Sequence, residues 1–423
     1  MGLGKTLEAL TITRELEAWP AVVVCPAGLK LQWRDQVREH LGLEVCICYG
    51  ARGEPLPRGA PLYVVNYEIL GPWLGYLLQL RPRMLIADEA RVIGNITSKR
   101  SRLFRRLALG VEYVLCLDGT PLMNCPWELY PLLSAISPLD FDSPFTFGME
   151  YCDGGKERGR WRFKGARNLG KLHDLLVSKY MIRHTKDEVA PDLPPKIRSV
   201  VPLEIDNRAT YATAEDNYLR WLASVDPAAA ARQSYALHWT RLAGLKGLAV
   251  RGKSTGVADW VESYLSASDG KLLAGTMTYD LLDRLYARFS DYSVVIDGRR
   301  TQKERRLAED TFKKSRGCRI LFGNMKAALG LNLPEANDVG VFEFPWNAAT
   351  CAQFIDRAHR ITTKHSVGVY FLCAADTVEE TVCRVIQRKQ AVSDRVLDGT
   401  SNRGVESLTL LTELHESIKR GAR

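Results

Sequence analysis

The sequence predicts an α/β chain with two parallel sheets and a mostly helical stretch between them. Two observations carry this. Short apolar runs recur, each closed by polar or turn residues, and helical patterns separate them, which is the rhythm of strands buried on both faces. The rhythm stops from about Ser137 to Gly270 and then resumes. This gives a first α/β region at 1–136, an insertion at 137–270, a second α/β region at 271–397 and a C-terminal helix at 398–423.

In the first region, Leu7 to Glu17 reads as a helix with Leu7, Leu10 and Leu16 along one side, and Leu29–Leu41 as another with Leu29, Trp33, Val37 and Leu41 stepping by four. The expected strands are Ala21–Val24 before Cys25-Pro26, Leu62–Val65 before Asn66-Tyr67, Met84–Ala87 before Asp88-Glu89, and Tyr113–Leu117 before Asp118-Gly119-Thr120-Pro121. Open α/β sheets bind ligands beyond the carboxyl ends of their strands, so Lys5, Asp88, Glu89 and Thr120 are expected to face one crevice. Within the insertion, Asp153–Lys171 is Gly-rich and basic, Pro191–Pro195 is a stiff connector and Ile205–Leu265 is mostly helical.

The second region offers strands at Lys271–Met277, Tyr292–Ile296, Cys318–Phe322, Val339–Phe342 and Val367–Leu372. Thr301 and Glu304 form a capping box for a helix running to Lys313. Asp376 and Glu379 are expected to open a helix through Val382, Val385 and Ile386. After a turn at Gly399–Gly404, Leu408, Leu411, Leu414 and Ile418 mark the last helix.

Composition narrows the class. A chain of 423 residues supports two or three domains with large cores. The net charge of +9 and pI of about 9.0 favour an anionic partner such as nucleic acid. Ten cysteines are scattered without zinc-type pairs or a disulfide framework, which points to a reducing interior. No run is long enough to span a membrane, and Glu8 and Glu15 interrupt the apolar start, so no signal peptide is read. The expected home is intracellular and cytoplasmic, either bacterial or the host cytoplasm of a virus.

The first six residues carry the sharpest chemistry. Gly2, Gly4, Lys5 and Thr6 form the second half of a phosphate-binding loop. The glycines let backbone N–H groups surround phosphate, Lys5 reaches the β/γ-phosphates, the Thr6 hydroxyl takes Mg²⁺, and the following helix points its positive end at the same anion. The same residues also fit an N-myristoylation signal. Asp88-Glu89 at a strand end suits a nucleotide hydrolase, the aspartate holding Mg²⁺ and the glutamate orienting water, against the plain alternative of two surface acids.

Further along, Asn347 is placed to cap a helix on which Gln353, Arg357 and Arg360 share a face, where arginines stabilise charge on a transferring phosphoryl group. The alternative is surface arginines paired with acids such as Asp356. His359 on the same helix lacks a metal partner at ligand spacing and is read as structural. In the insertion, Lys156, Arg158, Arg160, Arg162, Lys164 and Arg167 surround Trp161 and Phe163. That mixture suits phosphate contact with base stacking, and equally a solvated hairpin whose aromatics tuck into the core.

Six motifs stand in order: Met-Gly-Leu-Gly-Lys-Thr (1–6), Val-Cys-Pro-Ala-Gly-Leu (24–29), Ala-Asp-Glu-Ala (87–90), Asp-Gly-Thr-Pro-Leu-Met-Asn (118–124), Leu-Gly-Leu-Asn-Leu (329–333) and Gln-Phe-Ile-Asp-Arg-Ala-His-Arg-Ile (353–361). Together they resemble the helicase motif series of superfamily 2 in its Swi/Snf-type form. Phe147-Gly148, Tyr151-Cys152-Asp153, Asn168-Leu169-Gly170, Met181-Ile182-Arg183 and Leu193-Pro194-Pro195-Lys196 resemble its annealing-helicase (HARP-like) branch.

The resemblance implies two RecA-like lobes with ATP between them and duplex or branched DNA as partner, with no stable protein partner and no membrane. It implies an ATP-dependent double-stranded DNA translocase, with a strand-separating helicase or a weakened DNA-binding remnant as alternatives. By motif match, Gly2, Gly4, Lys5, Thr6 and Gly330 serve ATP, and Thr6 and Asp88 serve Mg²⁺. Glu89, Gln353, Arg357 and Arg360 serve hydrolysis. Thr120 and Asn332 couple ATP to DNA, with Arg160, Arg162 and Lys164 as further DNA contacts. Departures are Arg91 for the usual His, Ala327-Ala328 for a Gly pair, Thr362-Thr363 for Gly-Gln and His184 for an arginine. The adenine-sensing segment and the initial strand of the first lobe would precede Met1, so the expectation is a fragment, a misassigned start, or a motor that binds ATP weakly.

Overall fold

The computed structural model describes residues 3–119, 121, 125–157, 160–184, 186–224, 235–328, 330–346, 348–380 and 382. The C-terminal helix expected at 398–423, and Val385 and Ile386, lie outside them. Backbone contacts divide the chain into two units, the first running to Val189 and the second beginning at Ala190.

The first unit carries the strands β1 (Ala21–Cys25), β2 (Val45–Ile47), β3 (Leu62–Asn66), β4 (Met84–Asp88) and β5 (Tyr113–Leu117) in the order β2-β3-β1-β4-β5, all parallel. The central strand β1 is buried at every position, with Val23 level with Val64 on one side and Ile86 on the other. Alternate residues of each strand serve opposite faces, as the two-residue period requires. Val23, Val64 and Ile86 pack with Ala9 and Leu10 of α1 (Lys5–Glu15) and Trp33 and Val37 of α2 (Lys30–Leu41). Val22, Val65 and Leu85 pack on the other face with Trp73 of α3 (Leu70–Gln79) and Phe104 of α4 (Lys99–Ala108). Each fully buried Val or Leu contributes about 1.5–3 kcal/mol, so this two-sided layer is what holds the strand ends in place.

Beyond β5 the unit continues as a mainly aromatic satellite. It comprises α5 (Tyr130–Ile136), α6 (Pro144–Tyr151), the antiparallel hairpin β6 (Asp153–Glu157) and β7 (Arg160–Lys164), α7 (Leu169–Leu175) and a short α8 (Lys186–Val189). Tyr130, Phe141, Phe147, Tyr151 and Leu172 form its core.

The second unit is a six-stranded parallel sheet. Its strands are β8 (Lys196–Leu203), β9 (Leu272–Thr276), β10 (Ser293–Ile296), β11 (Ile320–Asn324), β12 (Asp338–Val341) and β13 (Val367–Ala374), ordered β10-β11-β9-β12-β13-β8. Helices α9 (Arg208–Ser224) and α10 (Tyr235–Gly252) give Tyr211, Leu242 and Leu245 to one face, and α11 (Ser254–Ala267) gives Val257 and Val261 to the other. On that second face, α12 (Tyr279–Phe289) adds Leu281 and Leu285. The capping box forms as expected at α13 (Gln302–Lys314), where Thr301 Oγ1 accepts from the Glu304 N–H and the Glu304 carboxylate accepts from the Thr301 N–H.

The stretch 137–270 is shared between the two units: its residues up to Val189 fall with the first, while β8 and α9–α11 fall with the second. β8 escaped notice because Lys196, Arg198, Ser199 and Pro202 interrupt its apolar character, which an edge strand exposed along much of its length tolerates. A helix does open at the expected place, with residues 378–380 in its first turn: Thr377 Oγ1 accepts from the Glu379 N–H at 3.2 Å and the Glu380 carboxylate accepts from the Asp376 N–H at 3.1 Å. The Glu379 carboxylate itself is fully buried and accepts from Lys253 Nζ at 2.6 Å and from the Ala374 N–H at 2.9 Å.

Candidate active site

The carboxyl end of β4 lies within electrostatic reach of the first residues of α1. Gly4 precedes the helix with φ 88, ψ 16, a left-handed conformation that glycine adopts without strain. No side chain caps this end, so the first N–H groups of α1 are left by the helix's own side chains for an incoming acceptor. Lys5 and Thr6 follow, both half-buried. Gly2 lies outside the described residues.

Asp88 closes β4. Its Oδ2 accepts from Trp33 Nε1 at 2.8 Å, its Oδ1 accepts from the Glu89 N–H at 2.9 Å, and its carbonyl accepts from the Tyr67 hydroxyl at 2.7 Å. Burial pushes the Asp88 carboxyl up to about 6; the Trp33 hydrogen bond opposes this, the Glu89 charge adds to it, and the Lys5 ammonium lies near enough to draw it back down. The structure thus brings Lys5 and Asp88 into electrostatic reach.

Glu89 has φ 51, ψ 50, a left-handed conformation that an ordinary side chain rarely adopts and that stores strain of order 1 kcal/mol or more. Its carboxylate pairs with Arg91 at 2.9 Å, and the two side chains are 16% and 12% exposed. The Arg91 N–H donates to Asp118 Oδ2 at 2.8 Å, and its guanidinium lies 4.0 Å from Asp118 Oδ1. The residue that departs from the motif therefore links the two acidic motifs. Trp33 and Tyr67, which orient Asp88, were read from sequence only as core or as a strand-end residue; nothing in their spacing signals the aspartate. Thr120 lies outside the described residues.

In the second unit the expected helical face is not present. The helix, α14 (Ala348–Ile355), ends before Arg357 and Arg360, which stand in the turns that follow. Gln353 is 1% exposed and Arg357 8% exposed, so both side chains are buried. The Arg357 carbonyl accepts from the Leu333 N–H at 2.9 Å. Arg360 Nη2 donates to the Leu331 carbonyl at 2.9 Å, beside Gly330, whose φ of 91 makes the turn. Arg357 and Arg360 thus both reach the segment that follows Gly330, one through its backbone carbonyl and the other through its side chain, rather than from a helix face. Asn332 is exposed, and its N–H approaches Glu309 at 3.5 Å. Asn347 lies outside the described residues. His359 is buried, with Nε2 2.7 Å from the Pro194 carbonyl, the structural role the sequence suggested.

On the hairpin, Phe163 tucks inward, its ring 4.7 Å from that of Trp127, while Trp161 is 42% exposed. Arg162 is exposed. For Arg160 and Lys164 the described structure covers the backbone of β7 alone.

Fold and site define a class: a double parallel-sheet protein whose first sheet presents a glycine-led helix start to a strand-end acidic pair, the arrangement of phosphoryl-transfer ATPases. The chain belongs to the SNF2-related family, whose domain model matches residues 1–233, and the helicase conserved C-terminal domain model matches residues 257–362. It is 26% identical over 92% of its length to the Xenopus tropicalis SWI/SNF-related matrix-associated actin-dependent regulator of chromatin subfamily A-like protein 1. It is 27% identical over 94% of its length to the Homo sapiens DNA annealing helicase and endonuclease ZRANB3. The chain spans 41% and 38% of those relatives' lengths, respectively. Among solved structures, the Sulfolobus solfataricus SWI2/SNF2 ATPase core in complex with dsDNA aligns over 94% of this chain and 87% of that one, at 21% identity and a TM-score of 0.40.

Proposed function

We propose that the chain is an ATP-dependent translocase on double-stranded DNA. The observation that carries this is the reach of the Lys5 charge to the buried Asp88 carboxyl, which closes β4 beside Glu89. The donors suit Mg²⁺-ATP: Asp88 and Thr6 are hard oxygen ligands, and a carboxyl that burial holds up to about 6 gains most when a cation arrives. When bound, Mg²⁺ neutralises charge developing on the phosphoryl oxygens.

The chain's own groups do the rest. Gly4 leaves the start of α1 open to phosphate, and Lys5 holds the β/γ-phosphates as a point charge. Glu89 orients the attacking water and takes its proton, and Arg91 fixes the direction of that carboxylate. Arg357 and Arg360 act on the charge of the transition state. Kinship to proteins named DNA annealing helicases, with the net charge of +9, supports duplex or branched DNA as the track. Among the described residues no helix is long and apolar enough to cross a membrane. ATP hydrolysis measured with and without duplex DNA tests the reading: stimulation supports it, and equal turnover refutes it.

A further inference from the structure

The β6–β7 hairpin has a feature the motor reading does not use. Trp161 and Phe163 are two residues apart and share one face of β7. Their rings are near-parallel, 7° apart, with centroids at 6.3 Å. Phe163 contacts Trp127 at 4.7 Å, and Trp127 stacks on Tyr130 at 5.6 Å and 11°. A row of rings therefore leads from the buried Tyr130 out to Trp161. The inner end is locked: a Cβ on Gly148 would meet the Phe163 ring at 2.5 Å, so only glycine admits that ring here. The outer end is open. Trp161 is 42% exposed, Phe145 meets it edge-on at 5.2 Å while 45% exposed itself, and Met149 is 38% exposed. Lys156, opposite Trp161 in the ladder, holds its ammonium 5.7 Å from the indole.

We propose that Trp161 is a stacking platform for one unpaired base, with the Lys156 ammonium taking that nucleotide's phosphate. This rests on the nucleic-acid reading above and narrows it to DNA with a single-stranded segment beside the duplex. Inside a duplex each base face is covered by the neighbouring pair and stacking on it costs an unstacked step, so an open aromatic ring favours unpaired bases, whereas basic side chains alone contact duplex and single strand alike. Charge favours a nucleic acid over an acidic peptide: the stretch 153–167 holds Lys156, Arg158, Arg160, Arg162, Lys164 and Arg167 against Asp153 and Glu157. An ammonium resting at the outer limit of cation–π attraction, on a flexible stem, moves to a phosphate without unmaking any other described contact.

The test uses the full chain at fixed, stated salt, with fluorescence anisotropy on two probes: a blunt duplex, and the same duplex carrying a single-stranded thymine extension. Wild type is expected to prefer the extended probe. Trp161→Ala should abolish that preference, weakening binding of the extended probe roughly 10-fold while blunt-duplex affinity stays within about 2-fold. Trp161→Phe should retain most of the preference, which separates stacking from general damage to the hairpin, and Lys156→Ala should weaken the extended probe alone. An equal loss on both probes, or no loss on either with melting temperature unchanged, overturns the platform while leaving the duplex reading standing. If wild type binds neither probe at low salt, the nucleic-acid reading itself fails, and the platform with it.

Discussion

Arg91 holds the carboxylate of Glu89 at 2.9 Å while its own backbone N–H is anchored on Asp118 at 2.8 Å. The glutamate read as the water-orienting group is therefore not free to rotate, and its direction depends on a second motif. Its strained backbone sits on the same short segment.

Arg91→Ala should lower the rate of ATP hydrolysis about 10- to 100-fold, part of the 10²–10⁴ that a positioned general base supplies, with nucleotide affinity little changed. Arg91→Lys should recover only part, since a point charge cannot reproduce the planar fork. Steady-state kinetics beside fluorescent-nucleotide binding separate the two quantities. A wild-type rate in Arg91→Ala would show that the ion pair plays no part in orienting Glu89.

Lys5 and Glu89 should fail differently. Lys5→Ala removes charge from the β/γ-phosphates and should weaken ATP binding itself. Glu89→Gln should leave binding nearly intact and stall hydrolysis. Arg360→Ala should resemble Glu89→Gln, with a loss of roughly 10³–10⁵ in rate as arginine-finger losses run. Because Arg360 also donates to the Leu331 carbonyl, its variant needs a melting curve: a fall in stability together with unchanged hydrolysis would assign it to the Gly330 turn alone.

The pH dependence has a definite sign. Burial raises the Asp88 carboxyl to about 6, and the Trp33 hydrogen bond pulls against that rise. A metal ligand must be deprotonated, so hydrolysis should decline as pH falls through about 6. Trp33→Phe removes the donor that favours the carboxylate, so Asp88 titrates higher and the acid limb should move to higher pH, with the rate at alkaline pH within about 2-fold of wild type. An acid limb that stays in place would separate Asp88 from the activity profile.

Much of this architecture was legible in the sequence. The unbroken apolar runs at Ala21, Leu62 and Met84 are strands because burial on both sheet faces demands that pattern, while the run at Tyr113 is a half-buried edge strand; of the polar residues that close them, Asp88, Glu89 and Asp118 meet in the candidate site through Arg91 and the Glu89 N–H. What escaped depends on contacts between distant residues. Neither Trp33 on Asp88, 55 positions away, nor β8 beside β13 leaves a local trace. Gln353, Arg357 and Arg360 looked helical by spacing, yet the backbone leaves the helix at Ile355. Of the two readings of the hairpin, each aromatic fits one: Phe163 packs against Trp127, while Trp161 on the same face of β7 stays 42% exposed.

Lys253 and Glu379 are both fully buried and joined at 2.6 Å, with Lys253 also donating to the Leu372 carbonyl at 2.6 Å. Lys253→Met strands the carboxylate and should destabilise the second unit by about 3–5 kcal/mol, whereas the double change with Glu379→Leu should regain most of that loss. Chemical denaturation of the single and double variants checks this; additive losses would show that the two charges are not coupled.

Coupling of ATP hydrolysis to duplex DNA through Lys5, Asp88 and Glu89 is tested by the steady-state ATPase rate at low, stated salt with and without blunt duplex DNA, run beside Glu89→Gln. The rate is expected to rise several-fold with duplex and to disappear in Glu89→Gln. A rate unaffected by DNA, or an equal rate in Glu89→Gln, would contradict it.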